Sequence, residues 1–341
     1  MSPVTPTCQL LDRQALDYRG WLWVAPPDDP WLGEIGGAVW SADAAIAEAW
    51  RTRGMVVHAA LDAVPGAPPG AVLFWPKAHA LGEWWLLALC RALPAGTPLQ
   101  VVGENQGGIR RVLKVLAALG LGCRKRDSAR RCTLFETRAG AVGFDPEAVW
   151  THFEAAGLTL ASHPGVFGHG KLDDGTRLLL DHLPAELGQG GERLLDVGCG
   201  DGVIAARLAR QGGTVTALDV NAFAVEATRR TLAANGLDGR VLASDVYAAL
   251  DAQERFAAIV SNPPFHQERR IDYGPSARLI EQAPRFLEPG GSLWLVANAF
   301  LPYAGRLEAA FGGFDIVADD GRFRVYRAVR GPAAGQRDGS R

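Results

Sequence analysis

From Arg193 onward the chain alternates short apolar runs with longer stretches whose apolar residues return every three or four positions. A compact apolar run suits a buried strand, and a period near 3.6 suits a helix with one buried face. The runs predict strands over Arg193–Val197, Thr214–Asp219, Arg240–Ala243, Ala257–Ser261, Ser292–Ala297 and Phe323–Val329. Helices are predicted over Val203–Gln211, Ala222–Asn235, Ser276–Leu287 and Ala304–Phe311. Such alternation is the pattern of an α/β fold, a parallel sheet with helices on both faces. A boundary near Gly140–Asp145 separates this unit, residues 145–330, from an N-terminal one, residues 1–140. The polar, Gly-rich stretch 331–341 is expected to be a disordered tail.

The N-terminal half echoes the second. Ala71-Val-Leu-Phe-Trp-Pro76 parallels Ala258-Ile-Val-Ser-Asn-Pro263, and Pro98–Asn105 parallels Ser292–Ala299. A helix around Val112–Leu119 precedes a strand at Cys132–Thr137, as Leu307–Phe311 precedes Phe323–Val329. These parallels predict a duplicated α/β unit; two unrelated α/β domains are the alternative. The first unit lacks the glycine-rich turn of the second and has no Asn-Pro-Pro.

Composition narrows the class. The 341 residues are 48% hydrophobic, enough for two cores of ordinary size. The net charge of −2 excludes a general polycation, so nucleic-acid binding would need a local patch. Cys8, Cys90, Cys123, Cys132 and Cys199 form no CxxC pair and no metal spacing. Scattered thiols in odd number fit a reducing cytoplasm, and neither a signal sequence nor an 18-residue apolar run is seen. The expectation is a cytoplasmic monomer with no metal and no membrane association. Trp84–Leu93, the richest apolar stretch, reads as a buried helix.

The candidate chemistry begins at Leu194-Leu-Asp-Val-Gly-Cys-Gly-Asp-Gly202, where the first strand turns into a helix. Gly198 and Gly200 permit a sharp turn and close approach of backbone to ligand. Acids at Asp196 and Asp201 disfavour the diphosphate of a dinucleotide and suit a cationic ligand bearing ammonium and sulfonium groups, S-adenosylmethionine. Asp219, ending the second strand, is placed to bond both ribose hydroxyls. Asp245, after the third strand, is placed to accept from an adenine amino group, with Val246 and Ala248 flanking the ring.

At the fourth strand end stands Ser261-Asn-Pro-Pro-Phe-His266. Pro263 and Pro264 remove two N–H donors and restrict the backbone. The Asn262 side-chain oxygen and the Pro263 carbonyl then aim at one substrate NH2, and Phe265 offers a face for a base. Acceptors at both N–H bonds favour rehybridisation of a conjugated amino nitrogen toward an incoming methyl group. His266 has two readings: a functional one, contacting substrate or taking up a proton late, and a structural hydrogen bonder.

Further strings fit one family: Pro164-Gly-Val-Phe167, Leu172-Asp-Asp-Gly175, Val296-Ala-Asn-Ala-Phe-Leu-Pro-Tyr303 and Gly321-Arg-Phe-Arg-Val-Tyr-Arg327. With the Asn-Pro-Pro-Phe-His motif they resemble the bacterial 16S ribosomal RNA guanine-N2 methyltransferases, whose sister family modifies 23S RNA. The resemblance is dense over Pro164–Arg327 and thin before residue 140, where Gly103–Ile109 alone looks similar. It implies two tandem Rossmann-like, class I methyltransferase domains, the N-terminal one degenerate and inactive. It implies methylation of guanine 1207 (rRNA numbering) at N2, on the assembled 30S subunit. Phe167 and Asp173–Thr176 should border the cofactor by the same resemblance, or else form an elbow between domains. The stretch Gln267–Tyr273 departs from the family's commoner pattern, which has a Gly soon after the His, and so leaves the exact nucleotide open. A 23S enzyme and a non-catalytic assembly factor that kept the fold are the rival readings.

Charge is uneven in the first half. Between Glu104 and Arg138 there are nine Lys/Arg against three Asp/Glu. Arg110, Arg111, Lys114, Arg124, Lys125, Arg126, Arg130 and Arg131 are candidates to meet RNA phosphates, with Arg269, Arg270, Arg322 and Arg324 as a second rim. The alternative is a solvated face. The tryptophans Trp21, Trp23, Trp31, Trp40, Trp50, Trp75, Trp84 and Trp85 are expected in the core rather than as a base-stacking platform.

Overall fold

The computed structural model describes residues 2–64, 66–263 and 274–332. The chain divides into two units, Met1–Trp150 and Thr151–Arg341. The division falls a few residues beyond the Gly140–Asp145 boundary expected from composition. Phe144 explains the shift: its ring meets Trp84 edge-on, and its carbonyl accepts from Arg91 Nη1 at 3.2 Å, holding the segment to the first unit.

The first unit carries β1 (Leu22–Val24), β2 (Ala38–Ser41), β3 (Val56–Ala59), β4 (Ala71–Phe74), β5 (Pro98–Glu104), β6 (Arg124–Ala129) and β7 (Cys132–Arg138). Its helices are α1 (Pro6–Asp12), α2 (Pro30–Ile35), α3 (Ala44–Thr52), α4 (His79–Ala92) and α5 (Val112–Ala118). The strands form one sheet in the order β3-β2-β1-β4-β5-β7-β6. All eight tryptophans named above are buried, and Trp21, Trp23, Trp31 and Trp50 share one cluster with Val72, Phe74 and Leu134. They are core residues, and no stacking platform is made from them.

The second unit opens with a hairpin, β8 (Thr151–Ala155) and β9 (Leu158–Ser162), followed by α6 (Asp174–His182). Then come β10 (Arg193–Val197), α7 (Val203–Arg210), β11 (Thr214–Asp219), α8 (Ala222–Ala234), β12 (Arg240–Ala243) and β13 (Phe256–Ser261). The unit closes with α9 (Gly274–Phe286), β14 (Leu287–Asn298), α10 (Tyr303–Phe311), β15 (Asp315–Asp319) and β16 (Phe323–Val329). Its sheet order is β12-β11-β10-β13-β14-β16-β15, the same permutation as in the first unit. The duplication read from the sequence is therefore visible strand by strand: β4 and β13 hold the same place, as do β5 and β14, and β7 and β16.

Neither sheet is wholly parallel, as the strand and helix alternation alone had implied. β16 runs antiparallel to β14 and to β15, and β7 runs antiparallel to β5 and β6. The cause is a tight turn at Asp320–Arg322, where Asp320 Oδ1 accepts from Arg322 N and Phe323 N, so β15 and β16 form a hairpin. β15 escapes sequence reading because its Ile316 and Val317 are exposed.

Period-two alternation divides the second core. Leu194, Ala217, Ala258, Trp294 and Val325 face α6, α7 and α8, whereas Leu195, Leu218, Ile259, Leu295 and Tyr326 face α9 and α10. Burial on both faces puts the carboxyl ends of β10, β11 and β13 at one edge of the sheet, where the candidate site lies.

Candidate active site

β10 ends at Asp196-Val197, and Gly198, Gly200 and Gly202 follow with φ of 78°, 57° and 82°. These left-handed values are costly for residues with a Cβ, so the turn demands glycine. Gly198 N and Cys199 N both donate to Leu218 O, at 2.7 and 3.0 Å, which folds the turn over the end of β11. A Cβ on Gly202 would come within 2.8 Å of Thr228 Cα, so glycine also lets α7 pack on α8.

Asp196 lies wholly inside the protein. Its Oδ2 accepts from Ala205 N at 3.0 Å in the first turn of α7, and its Oδ1 is buried without a hydrogen-bond partner. It sits behind the turn and not on its open surface. Burial, aided by the charges of Asp219 and Asp201, holds its pKa well above the usual carboxylate range. Asp201 accepts from Val203 N at 3.2 Å, and burial pushes its pKa up to about 6. Acids crowded at a turn in this way favour a cationic ligand.

Asp219 locks the turn to the second strand. Its Oδ2 accepts from Gly200 N at 3.0 Å and its Oδ1 from Asn221 N at 2.8 Å. A carboxylate carries two acceptor oxygens, the chemistry that suits a pair of ribose hydroxyls. Asn221 then ties in the Pro164–Phe167 loop, its Nδ2 donating to Gly165 O at 2.9 Å. His163 stacks on Phe223 at 4.2 Å and accepts from Gly165 N through Nδ1. Burial lowers the His163 pKa to about 3, so it stays neutral and serves as an acceptor. Phe167, at the end of this loop, is 67% exposed.

Asp245 is already engaged: Arg278 Nη2 of α9 donates to its Oδ1 at 2.5 Å. One oxygen remains for an adenine amino group, so the acceptor role expected of it is shared with an ion pair. The next residue, Val246, has φ of 53°, a costly value for a β-branched side chain. Ser244 supports it, accepting from Ala249 N and donating to Val246 O. Local strain of this kind collects where a ligand must be met.

At the end of β13, Ser261 Oγ donates to Val197 O at 2.6 Å, pinning this strand end to that of β10. The Asn262 carbonyl lies 3.9 Å from where a Gly198 Cβ would stand, so the turn and the Asn motif adjoin. Asn262 Nδ2 donates to Asp173 Oδ2 at 3.0 Å and to Thr176 Oγ1 at 2.7 Å. Both amide protons are used within the protein, and Oδ1 is the acceptor that the side chain presents. Pro264, Phe265, His266, Arg269 and Arg270 lie outside the described residues.

The structure thus brings Gly198, Gly200, Asp219 and Asn262 to one place and puts Asp196 beneath them. Sequence reading missed Arg278, His163, Asn221 and the bonds from Asn262 to α6. The signal for the last was present, since Asp173 before the apolar stretch Leu178–Leu180 is a helix-start pattern. Among the described residues no cluster of His, Cys, Asp and Glu could hold a metal. The basic candidates of the first unit are exposed, but Arg124 and Arg126 both pair with Glu136, at 2.7 and 2.5 Å. Their strand, β6, is a sheet edge, where charge also guards against edge-to-edge pairing. Arg322 pairs with Asp174, and Arg324 with Asp319.

In the first unit the equivalent places are apolar. Aligning Ala71 with Ala258, and following the strand registers through Leu22 and Leu194, sets Val24 against Asp196, Ala42 against Asp219 and Trp75 against Asn262. Trp75 is buried against Gly82 of α4. Asp29, after β1, is consumed by Val4 N, Thr5 N, Thr5 Oγ1 and Trp31 N.

Comparison with known proteins agrees with the division into two units. The Methyltransferase small domain family matches residues 157–327, and the Methyltransferase small domain N-terminal family matches residues 36–153. The ribosomal RNA small subunit methyltransferase C of Chromohalobacter salexigens is 67% identical over 97% of this chain and 99% of its own. The protein of that name from Stutzerimonas stutzeri is 43% identical over 96% of this chain and 99% of its own. The solved structure of the T. thermophilus 16S rRNA N2 G1207 methyltransferase (RsmC), in complex with AdoMet and guanosine, superposes with a TM-score of 0.85 at 29% identity. It covers 96% of this chain and 92% of that one. The glycine turn, the Asn262 site, the degenerate first unit and identity along nearly the whole chain point the same way: the chain belongs to the ribosomal RNA small subunit methyltransferase C family.

Proposed function

We propose that this protein transfers a methyl group from S-adenosylmethionine to the exocyclic N2 of a guanine in 16S ribosomal RNA, at position 1207 (rRNA numbering) of the 30S subunit. The observation that carries the reading is Asn262, whose two amide protons are spent on Asp173 and Thr176 and whose backbone adjoins the glycine turn, leaving Oδ1 as the acceptor of the side chain. An amino nitrogen conjugated with a purine ring is a weak nucleophile. An acceptor at its N–H bonds lets it rehybridise as the new bond forms, and that interaction is strongest in the transition state.

The residues present fit the cofactor. Asp219 would accept from the ribose hydroxyls and Asp245 from the adenine amino group, and negative charge at Asp201 and Asp219 suits a cation. When bound, S-adenosylmethionine supplies an electrophilic methyl group. Asn262 Oδ1 and the Pro263 carbonyl hold the substrate NH2, and positioning of this kind is worth several powers of ten in rate. Pro264 and Phe265 complete the motif, Phe265 as the stacking face for the extruded base. The first unit is catalytically silent, with Val24, Ala42 and Trp75 where the polar groups would stand. Its exposed Arg110, Arg111, Lys114 and Lys125 serve RNA binding.

The test is transfer of labelled methyl to 30S subunits, 50S subunits and deproteinised rRNAs, with the modified nucleotide mapped. N2-methylguanine at position 1207 of 16S RNA is the expected result. Label confined to 23S RNA would overturn the target, and bound cofactor without any transfer would leave an assembly factor.

A further inference from the structure

We propose that Asp173 and Thr176, in the first turn of α6, are positioning residues that set which way the Asn262 amide faces. The inference rests on the role given to Asn262 above and goes beyond it. An asparagine amide has two nearly isosteric orientations that differ only in exchange of oxygen and nitrogen. Only one of them offers oxygen to a substrate N–H. In the other the NH2 would face the substrate amino group, donor against donor.

One feature selects the productive orientation and two more hold it. Asp173 is a carboxylate and accepts only, so the group facing it must be the NH2; a turned amide would set oxygen against oxygen. Thr176 Oγ1 takes the second proton at 2.7 Å, and this side chain is buried. Asp173 Oδ2 itself is held in place, because it also accepts from Thr176 N at 3.0 Å as the N-cap of α6. The cap that starts the helix and the clamp that orients Asn262 are thus one oxygen atom. Gly175 permits it: a Cβ there would lie 3.0 Å from Asp173 Oδ2 and 3.1 Å from Phe323 Cδ1. Asp173 also adds to the field that raises the Asp201 pKa, which places this helix start near the glycine turn.

The experiment compares Thr176→Val, Thr176→Ser and Asp173→Ser in the full chain, with Asn262→Ala as reference. The readouts are kcat and KM for methylation of 30S subunits, the Kd for S-adenosylmethionine, and Tm. Thr176→Val keeps the shape and loses the acceptor; Thr176→Ser keeps the acceptor. Asp173→Ser keeps a helix cap but is too short to reach Asn262 as well. We expect Thr176→Val and Asp173→Ser to lower kcat by roughly ten-fold or more, in the range seen when one preorganised polar group is removed. Cofactor Kd should stay near wild type, and Thr176→Ser should recover most of the rate. Unchanged kcat in both Thr176→Val and Asp173→Ser, with Asn262→Ala inactive, would overturn the positioning role and leave Asn262 standing. Full activity of Asn262→Ala would overturn the reading on which the proposal rests. Loss that appears only in Tm and equally in Thr176→Ser would mark a structural role alone, also against the proposal.

Discussion

Asp201 carries the clearest titration in the site. Its pKa is raised from 3.8 to about 6, so the folded protein takes up a proton that the unfolded chain releases. A raised carboxylate pKa gives stability at low pH that is lost as pH climbs from about 4 to about 6. Asp201→Asn keeps an acceptor for Val203 N and removes the charge. Its Tm advantage over the wild type, measured without cofactor, should therefore grow across that window; a constant difference would contradict the shift. Cofactor binding should run the other way, because a cation favours the ionised form. Affinity should fall below about pH 6 in the wild type and less so in Asp201→Asn. Two substitutions separate binding from chemistry. Asp219→Ala should raise the cofactor Kd, since it breaks the Gly200 bond and removes the proposed ribose acceptor. Asn262→Ala should abolish transfer while cofactor Kd, by calorimetry, changes little.

At the scale of elements, the site is a set of strand ends and helix starts held in register by a few polar bonds. Ser261 to Val197, Asp219 to Gly200, Asn221 to Gly165 and Asn262 to α6 each join two elements that are distant in sequence. The packing of α7 on α8 depends on Gly202, whose φ is 82° and whose missing Cβ leaves room for Thr228. Gly202→Ala should lower stability by about 2 kcal/mol, from left-handed strain and overpacking together. Gly236→Ala, with φ of 64° and nothing within 4 Å, isolates the strain alone and should cost about 1 kcal/mol. Equal denaturation midpoints for the two variants would refute the packing argument.

Over the whole molecule, the same sheet permutation occurs twice and only one unit retains the polar groups. Restoring acids in the first unit would require charge at Ala42 and at Val24, which is wholly buried. The first unit keeps an exposed basic surface. Glu136 offsets Arg124 and Arg126, so the freer cations include Arg110 and Arg111, in the short turn Ile109–Arg111 that leads into α5, and Lys114 of α5. Neutralising these three together should weaken 30S binding and reduce its slope against log salt by roughly one for each phosphate no longer neutralised. Neutralising Arg124 and Arg126 should do less. The reverse ranking, or no change in slope, would remove the surface from RNA binding.

Strand and helix positions in the second unit were legible because their apolar residues keep strict periods and glycines mark the turns. The Asp196–Gly202 turn and the Asn262 motif were legible because their chemistry is local, carried by neighbours in sequence. The hairpin β8–β9 was not, being short and part polar, nor was the antiparallel course of β16, which a turn sets at a sheet edge. Tertiary structure alone decided that Asp196 lies beneath the turn, that Arg278 shares Asp245, and that Asp173 and Thr176 grip Asn262. Each of these joins residues far apart along the chain, and such a bond exists only after packing has fixed both ends. Neighbouring residues marked the α/β elements, the glycine turn and the Asn262 motif; packing set the strand directions and which atoms of those residues remain for a ligand.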